Sequence, residues 1–256
     1  MGPDTRGDVG SILGIWGHPD DEAYLAAGLM MRAVEAGRRV TCVTATKGEC
    51  GFPPDDTRST SERIAVREYE LASCLSLLGV TEHRWLGYGD GQCARVPDEE
   101  AAATVAAIIT EVRPDTVLTF GPDGGTGHSD HIAACRWTTR AVQLAGLRDT
   151  RLMYATKTRR WHDEFFAGVD PASVMMVEGM ETEALDESEL GVWFECDDEL
   201  LPRKVAALRA QVSQVEPLVS ELGLEAFSAA VREEFFRDPL LTDTAFIERM
   251  RSLGSA

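Results

Sequence analysis

Basic residues are scarce in this sequence: 25 lysines and arginines stand against 43 aspartates and glutamates, so the formal net charge is −18. A protein that binds duplex nucleic acid needs a cationic face that displaces counterions from the phosphates. No lysine and arginine cluster here supplies one. The same imbalance argues against docking on an anionic membrane surface. We therefore expect neither nucleic acid nor a membrane among the partners of this protein.

Long apolar runs and paired cysteines are also missing. No apolar run reaches the roughly 18 residues that a membrane-spanning helix requires. The first ten residues include Asp4, Arg6 and Asp8 and lack the apolar stretch of a secretory signal. The six cysteines are scattered, with no Cys-x-x-Cys pair, which disfavours a thiolate zinc site. We expect a cytoplasmic protein without a zinc-thiolate centre.

Apolar, β-branched segments alternate with helix-forming segments over the first 158 residues or so. The pattern predicts five strands and four helices, namely strands over 11–17, 39–46, 83–88, 116–120 and 151–156, and helices over 22–36, 59–78, 98–112 and 130–145. Such alternation is typical of βαβ units and a mainly parallel sheet. We expect an α/β fold with strand order 3-2-1-4-5 and helices on both faces.

The alternation ends near residue 158. Two short strands are predicted over 175–177 and 192–195, and two helices over 199–215 and 226–237. We expect this C-terminal segment to wrap the main sheet. The whole chain, 1–256, is then a single domain with a core over about 11–158 and an extension over about 159–256.

The first polar constellation follows the first predicted strand and reads Gly17-His18-Pro19-Asp20-Asp21-Glu22. In open α/β sheets, ligands bind beyond the carboxyl ends of the strands. His18 and Asp21 are three residues apart, so a turn that enters a helix can bring both to one point. An imidazole and a carboxylate are both good zinc ligands. Asp20 is then free to act as a general base beside the metal.

The second constellation, Gly124-Gly125-Thr126-Gly127-His128-Ser129-Asp130-His131, follows the fourth predicted strand. That strand neighbours the first in the expected order. His131 can therefore complete a His-Asp-His set, and three protein ligands with one open position are typical of catalytic zinc. His128, one helical turn earlier, would face the same cavity without binding the metal.

Each constellation has an ordinary explanation when it is taken alone. A histidine at a strand end is usually solvated, and His-Pro-Asp-Asp is compatible with a turn that caps a helix. However, the chain has only five histidines, and three of them lie in these two motifs. Each motif also ends a predicted parallel strand. The coincidence favours a metal site over two unrelated turns.

The two motifs together resemble the LmbE/PIG-L family of zinc-dependent N-acetylglucosaminyl deacetylases, and the resemblance covers roughly residues 11–215. Further matching stretches are Thr46-Lys47-Gly48-Glu49, Arg67-Glu68-Tyr69-Glu70-Leu71, Leu86-Gly87-Tyr88-Gly89-Asp90-Gly91, Lys204-Val205-Ala206-Ala207-Leu208 and Ser213-Gln214. The resemblance implies a Rossmann-like fold, an amino-sugar substrate and a possible homotrimer or homohexamer. It implies one Zn²⁺ per chain, held by His18, Asp21 and His131.

The resemblance also implies roles for the remaining candidates. Asp20 would be the general base, and His128 would stabilise the oxyanion or protonate the leaving amine, oriented by Asp130. Arg67 and Asp90 match positions that contact sugar hydroxyls.

Glu49 is a third candidate for binding the substrate, with an idle residue as the alternative. Arg67 can equally be a solvated residue paired with Glu62 or Glu70, and Asp90 can be a turn former.

Two positions depart from the family pattern. Thr126 stands where some members carry a tyrosine that helps to stabilise the oxyanion. Gln211 stands where the late motif usually has a histidine before its Ser-Gln pair. With Thr126, more of the oxyanion stabilisation falls to the metal and His128, and the second departure weakens the assignment to the thiol-cofactor branch of the family.

Rival functions remain open at the level of sequence. An amidase or deacylase that acts on a thiol-cofactor conjugate or an antibiotic precursor would use the same catalytic residues. A non-catalytic metal- or sugar-binding protein would not need Asp20. A nucleotide-binding oxidoreductase is disfavoured because no G-x-G-x-x-G follows the first strand. Iron or manganese can replace zinc in a site of this kind.

Overall fold

The computed structural model describes residues 9–166 and 183–243. The five predicted strands of the N-terminal part all form, and they lie in one parallel sheet in the order β3-β2-β1-β4-β5, as expected. The strands are β1 (Ile12–Trp16), β2 (Val40–Thr46), β3 (Glu82–Tyr88), β4 (Thr116–Phe120) and β5 (Arg151–Ala155). The direction of the order reverses between β1 and β4, which opens a crevice at their carboxyl ends.

Helices cover both faces of the sheet. The helices are α1 (Asp21–Glu35), α2 (Thr60–Leu78), α3 (Asp98–Val112), α4 (Ser129–Ala145), α5 (Arg159–Phe165), α6 (Leu200–Arg209), α7 (Val212–Leu222) and α8 (Leu224–Ala230). Side chains of β1 alternate between the two cores. Ile12 and Trp16 pack with α1 and α2, whereas Leu13 and Ile15 pack with α3. Because both faces are covered, every residue of β1 is buried. No helix in the described ranges has the length and apolarity to cross a bilayer.

The ends of α2 show why the sequence pattern predicts where this helix begins and ends. Ser59 accepts a hydrogen bond from the backbone amide of Glu62, and the Glu62 carboxylate accepts one from the Ser59 amide. This reciprocal cap satisfies two amides that have no partner inside the helix. Gly79 ends the helix at φ 75°, a left-handed conformation that glycine adopts without strain.

Two antiparallel strands extend the sheet beyond β5. They are β8 (Val192–Glu195), as predicted, and β9 (Glu233–Arg237), and β9 lies between β5 and β8. The predicted helix over 226–237 is therefore wrong in its second half, since only α8 is helical there. The composition of β9 explains the error, because three of its five residues are charged and yet all five are buried.

The helix predicted over 199–215 is interrupted at Ala210 and Gln211, so α6 and α7 are separate. The strand predicted over 175–177 lies outside the described residues. A small parallel pair, β6 (Lys157–Thr158) with β7 (Ala184–Leu185), lies apart from the main sheet. Helix α6 packs against α1 and α2, so the C-terminal segment covers one face of the core.

A buried ion pair joins α6, β9 and α1. Lys204 and Glu234 have fully buried side chains, and Nζ of Lys204 lies 2.6 Å from Oε1 of Glu234. The carboxylate also accepts hydrogen bonds from the backbone amides of Gly28 (2.6 Å) and Leu29 (3.0 Å). Nζ of Lys204 donates to the carbonyl of Tyr24 at 3.2 Å. The charged residues of β9 are tolerated because such partners compensate them.

We expect Lys204→Met to lower the free energy of unfolding by about 3–5 kcal/mol, because the buried carboxylate of Glu234 loses the cation that it is paired with. Urea titration followed by circular dichroism measures the change. Lys204→Met combined with Glu234→Gln should recover part of the loss. A loss below about 1 kcal/mol in the single variant, as expected of a surface ion pair, would contradict this account.

Candidate metal centre

His18, Asp21 and His131 meet in the crevice between β1 and β4. His18 lies two residues after β1, Asp21 begins α1, and His131 lies in the first turn of α4. Nδ1 of His18 is 3.0 Å from Nε2 of His131. The Asp21 carboxylate places Oδ2 3.7 Å from Nδ1 of His18 and Oδ1 3.4 Å from Nε2 of His131. The two sequence motifs therefore converge as expected.

The other nitrogen of each imidazole faces a group that can only accept a hydrogen bond. Nε2 of His18 lies 3.0 Å from Oδ1 of Asp90 and 3.3 Å from Oδ2 of Asp130. Nδ1 of His131 lies 3.0 Å from the carbonyl oxygen of Gly124. These nitrogens therefore carry the hydrogens of the neutral rings, and in that form lone pairs remain on Nδ1 of His18 and Nε2 of His131. Metal-binding histidines are typically oriented by acceptors in this way.

The geometry of this donor set fits a divalent metal. Two nitrogen lone pairs and a carboxylate that face one another repel unless a cation lies between them. In tetrahedral zinc sites with bonds of about 2.1 Å, ligand atoms are about 3.4 Å apart. The two imidazole nitrogens are 3.0 Å apart here, and Oδ1 of Asp21 is 3.4 Å from Nε2 of His131. The residues that would hold the metal are thus already arranged for it.

The rings and the backbone around the set are rigidly packed. The imidazole of His131 stacks on Phe120 with ring centroids 4.0 Å apart and an interplanar angle of 8°. A Cβ at Gly17 would lie 2.9 Å from Cδ2 of His131, so only glycine fits at this position. The backbone amide of His18 donates to Oδ2 of Asp21 at 2.7 Å. These contacts fix the orientation of the candidate ligands.

The pKa values of the two histidines indicate that the site favours a positive charge. Burial lowers the pKa of His18, but hydrogen bonds to Asp130 and Asp90 outweigh it and raise the pKa to about 10. Burial and the charge of His18 lower the pKa of His131 to about 3. The surrounding carboxylates therefore stabilise one cation at this point, whether a proton or a metal ion supplies it.

Asp20 lies beside the set in a strained conformation. Its φ of 104° is unusual for a residue with a side chain and costs on the order of 1–3 kcal/mol. Its carbonyl accepts the first amides of α1, but within the described α1 its carboxylate caps none of them. The interpretation of this motif as an ordinary helix-capping turn is therefore excluded. Burial raises the pKa of Asp20 to about 7, although the charge of Arg67 opposes this.

Arg67 lies under Asp20 and is only 2% exposed. Its Nη2 donates to the carbonyl of Pro19 and lies 3.3 Å from Oδ2 of Asp20. At Gly48, φ is 66° and a Cβ would lie 3.0 Å from Nε of Arg67, so a side chain there would be both strained and crowded. The alternative of a solvated residue paired with Glu62 or Glu70 is thus wrong. The guanidinium stabilises the ionised form of Asp20.

His128 faces the same point as the candidate ligands. Its ring nitrogen lies within 4.8 Å of those of His18 and His131, so the three imidazoles are themselves close enough to hold a metal ion. Nδ1 of His128 accepts a hydrogen bond from the backbone amide of Asp130 at 3.2 Å, so the imidazole caps α4. Burial and the neighbouring histidines lower the pKa of His128 to about 4. Thr126 lies two residues earlier, in the loop between β4 and α4.

Asp130 is placed differently from the expectation that it orients the ring of His128. Its Oδ2 accepts from His18 Nε2 and from the Gly91 amide (2.7 Å), and its Oδ1 accepts from the Cys93 amide (3.1 Å). The carboxylate therefore holds a candidate ligand, and its link to His128 runs through the backbone.

Asp90 and Glu49 lie just outside the three candidate ligands. Asp90 is buried, so it is more than a turn former. Its Oδ2 accepts from the Cys50 amide at 2.7 Å, while its Oδ1 contacts His18. Glu49 accepts a hydrogen bond from the backbone amide of Asp90 at 3.1 Å. His18, Asp90 and Asp130 are close enough to hold a second ion, but the hydrogen bonds of both carboxylates indicate that they support His18 instead.

Two buried residues near the site received no role from the sequence. Glu22 accepts a hydrogen bond from the Asp20 amide at 3.2 Å and another from Nε2 of Gln211 at 2.8 Å. Both side chains are fully buried. Burial, together with the charges of Asp20 and Asp21, raises the pKa of Glu22 to about 8. The sequence signal for a role of Glu22 is that it is the third acidic residue in a row after a buried strand.

Comparisons with known proteins place these residues in a family context. Residues 13–142 match the family model described as "PIG-L: GlcNAc-PI de-N-acetylase". The 1D-myo-inositol 2-acetamido-2-deoxy-alpha-D-glucopyranoside deacetylase of Acidothermus cellulolyticus is 34% identical over 234 residues, which cover 81% of this chain and 80% of the relative. Three other relatives of that name match over only 162 to 165 residues, and this chain spans about half of their length (45% to 54%).

Solved structures share the fold at low sequence identity. The N,N'-diacetylchitobiose deacetylase of Pyrococcus horikoshii is 23% identical, with a TM-score of 0.61 over 89% of this chain and 82% of that one. GalB, the 4-carboxy-2-hydroxymuconate hydratase of Pseudomonas putida, is 14% identical, with a TM-score of 0.62 over 90% and 96%. The fold therefore occurs in enzymes of different chemistry. The family match and the Acidothermus relative, by contrast, show that this chain belongs to the PIG-L family.

Proposed function

We propose that this protein is a metal-dependent hydrolase that removes an N-acetyl group from a small molecule or glycoconjugate containing N-acetylglucosamine. The observation that carries the proposal is the convergence of His18, Asp21 and His131 beside the strained carboxylate of Asp20. The names of the Acidothermus and Pyrococcus relatives support a deacetylase of acetylated amino sugars.

We assign the metal to His18, Asp21 and His131, with zinc as the ion that this donor set suits best. When bound, it would supply Lewis acidity that makes water more acidic and an amide carbonyl more electrophilic. Asp90, Asp130 and the Gly124 carbonyl hold the two imidazoles in the orientation this requires.

Asp20 is the proposed general base. It is not among the three convergent ligands, and Arg67 lies 3.3 Å from its carboxylate. Asp20 removes a proton from the attacking water as the new C–O bond forms at the amide carbon. The C–N bond then breaks, and the proton that Asp20 has taken up goes to the departing amine. The products are acetate and a free amino sugar.

His128 is the proposed partner of the developing oxyanion. Its Nδ1 is occupied by the Asp130 amide, so Nε2 is the nitrogen that can face the substrate. Arg67, Asp90 and Glu49 remain candidates for contact with the sugar. Their direct contacts are to Asp20, His18 and Asp90 respectively, so we propose that the first two also tune the base and a ligand.

A second candidate is hydrolysis of another amide, such as a thiol-cofactor conjugate or an antibiotic precursor, by the same residues. Gln211 and Thr126 depart from the family pattern, which favours keeping an amide other than that of an acetylated amino sugar as an alternative substrate. Simple metal or sugar binding is less well supported, because it gives no reason to hold Asp20 in a strained conformation beside the ligands.

We further propose a cytoplasmic location. All six cysteines, which lie in the described ranges, are free thiols, as is usual in a reducing compartment. Assembly into a trimer or hexamer stays a prediction from the family resemblance.

Replacing His18 or His131 with alanine should abolish stable metal binding, because two ligands cannot hold the ion as three do. Metal content after dialysis, measured by atomic emission, tests this. His162→Ala is a matched control from outside the site and should retain one metal per chain. Full metal content in His131→Ala would contradict the ligand assignment.

Asp20→Asn should lower kcat by about 10²–10⁴-fold, the usual contribution of a general base. The metal should remain bound, because Asp20 is not a proposed ligand. Steady-state kinetics with parallel metal analysis separate the two effects. Wild-type turnover in a metal-loaded Asp20→Asn variant would show that the base is another group.

Metal-reconstituted protein should release amine from at least one member of a panel of N-acetylglucosamine derivatives that includes N,N'-diacetylchitobiose. A chelator should abolish the release. Amine release from other acetylated or acylated amides alone would favour the second candidate. A complete lack of turnover across both panels would overturn the assignment as a deacetylase.

A further inference from the structure

Glu22, which is neither a candidate metal ligand nor the proposed base, holds the backbone amide of Asp20. The amide donates a hydrogen bond to Oε2 of Glu22 at 3.2 Å. The other carboxylate oxygen, Oε1, accepts from Nε2 of Gln211 at 2.8 Å and from the thiol of Cys74 at 3.5 Å. Glu22, Gln211 and Cys74 are all fully buried. A continuous buried path therefore joins the turn between α6 and α7 to the backbone of Asp20.

This path acts on the strained residue of the site. An L-residue keeps a φ of 104° only when its surroundings hold it there. The Asp20 carbonyl accepts the amides of Ala23 and Tyr24, and its carboxylate pairs with Arg67. The amide is the remaining backbone group, and Glu22 holds it. If Glu22 were free to change rotamer, one of the contacts that maintain this conformation would be lost.

Gln211 itself is fixed in place by its neighbours. The amide and hydroxyl of Ser213 donate to the Glu70 carboxylate at 2.7 and 2.6 Å. Nε2 of Gln214 donates to the carbonyl of Gly51 at 2.8 Å. The turn is thus tied to α2 and to the loop after β2, both of which carry site residues. Gln211 can therefore act as a firm support rather than as a mobile contact.

The chemistry of Gln211 argues against a purely packing role. Its Oε1 is buried without a hydrogen-bond partner in the described part of the chain. An unpaired buried amide oxygen is unfavourable, and an apolar side chain of similar size would avoid it. A glutamine is therefore favoured at this position only if its side-chain N–H donor is needed. That donor points at Glu22.

We infer that Gln211 is a positioning residue, which acts through Glu22 to hold the backbone of Asp20 in the conformation that presents its carboxylate to the reaction. The effect on turnover rests on the proposed function, whereas the effect on the Asp20 backbone does not. The C-terminal motif that contains Gln211 has no direct contact with the three candidate ligands. Its proposed role is to position the general base.

The test compares Gln211→Met, which removes the donor, with Gln211→His, whose imidazole N–H can still donate to Glu22. Arg209→Met is the control for general loosening of the turn, because it breaks the exposed Arg209–Glu216 ion pair between α6 and α7. The full-length proteins are compared by amide hydrogen exchange over residues 17–24, by metal content and by steady-state kinetics.

Gln211→Met should speed exchange of the Asp20 amide, because its acceptor is no longer held. It should lower kcat by about 10–100-fold at little change in KM, as expected when a reacting group is displaced, with metal content unchanged. Gln211→His should restore both slow exchange and kcat. Arg209→Met should resemble the wild type in all three measurements.

The inference is overturned if exchange at Asp20 stays slow in Gln211→Met, or if exchange accelerates while kcat of an active enzyme is unchanged. Equal effects of Arg209→Met would also overturn it, since they would show a general structural role. If the wild type is inactive on every amide, the proposed function fails. Exchange at Asp20 then still decides whether Gln211 holds its backbone.

Discussion

Two imidazole nitrogens and one carboxylate face a common point at the carboxyl ends of β1 and β4. Their lone pairs are directed there because the opposite ring nitrogens are committed to Asp90, Asp130 and the Gly124 carbonyl. Three acceptors at such short spacing are stable only around a positive charge. The raised pKa of His18 has the same cause: the neighbouring carboxylates stabilise a positive charge at this point and outweigh the effect of burial.

Much of the surrounding structure serves this arrangement. Gly17 and Gly48 are positions where a side chain would collide with His131 or Arg67. The strain at Asp20 is local, and it is offset by contacts from α1 and α2 and, through Gln211, from the C-terminal segment. The parallel sheet fixes the distance between the two motifs, so the chemistry depends on the order of β1 and β4. The hydratase that shares this fold shows that the scaffold alone does not choose the reaction.

The sequence predicts the N-terminal strands and helices because their patterns are local: apolar runs, a capping box at Ser59 and a C-terminal Gly79. It also predicts which residues meet, because both motifs end strands that the parallel topology makes neighbours. It fails for β9, where Glu234 is buried only because Lys204, 30 residues away in the chain, compensates it. The contacts of Asp130 with His18 and of Gln211 with Glu22 are likewise tertiary, at separations of 112 and 189 residues, and no local pattern encodes them.

The central claim is that the three convergent atoms bind a metal. X-ray absorption at the zinc edge, on protein reconstituted with one equivalent of zinc, tests it most directly. The account predicts a first shell of nitrogen and oxygen at about 2.0–2.2 Å, without sulfur, and outer-shell scattering from two imidazoles. A sulfur scatterer at about 2.3 Å, or the absence of outer-shell scattering from imidazoles, would contradict it.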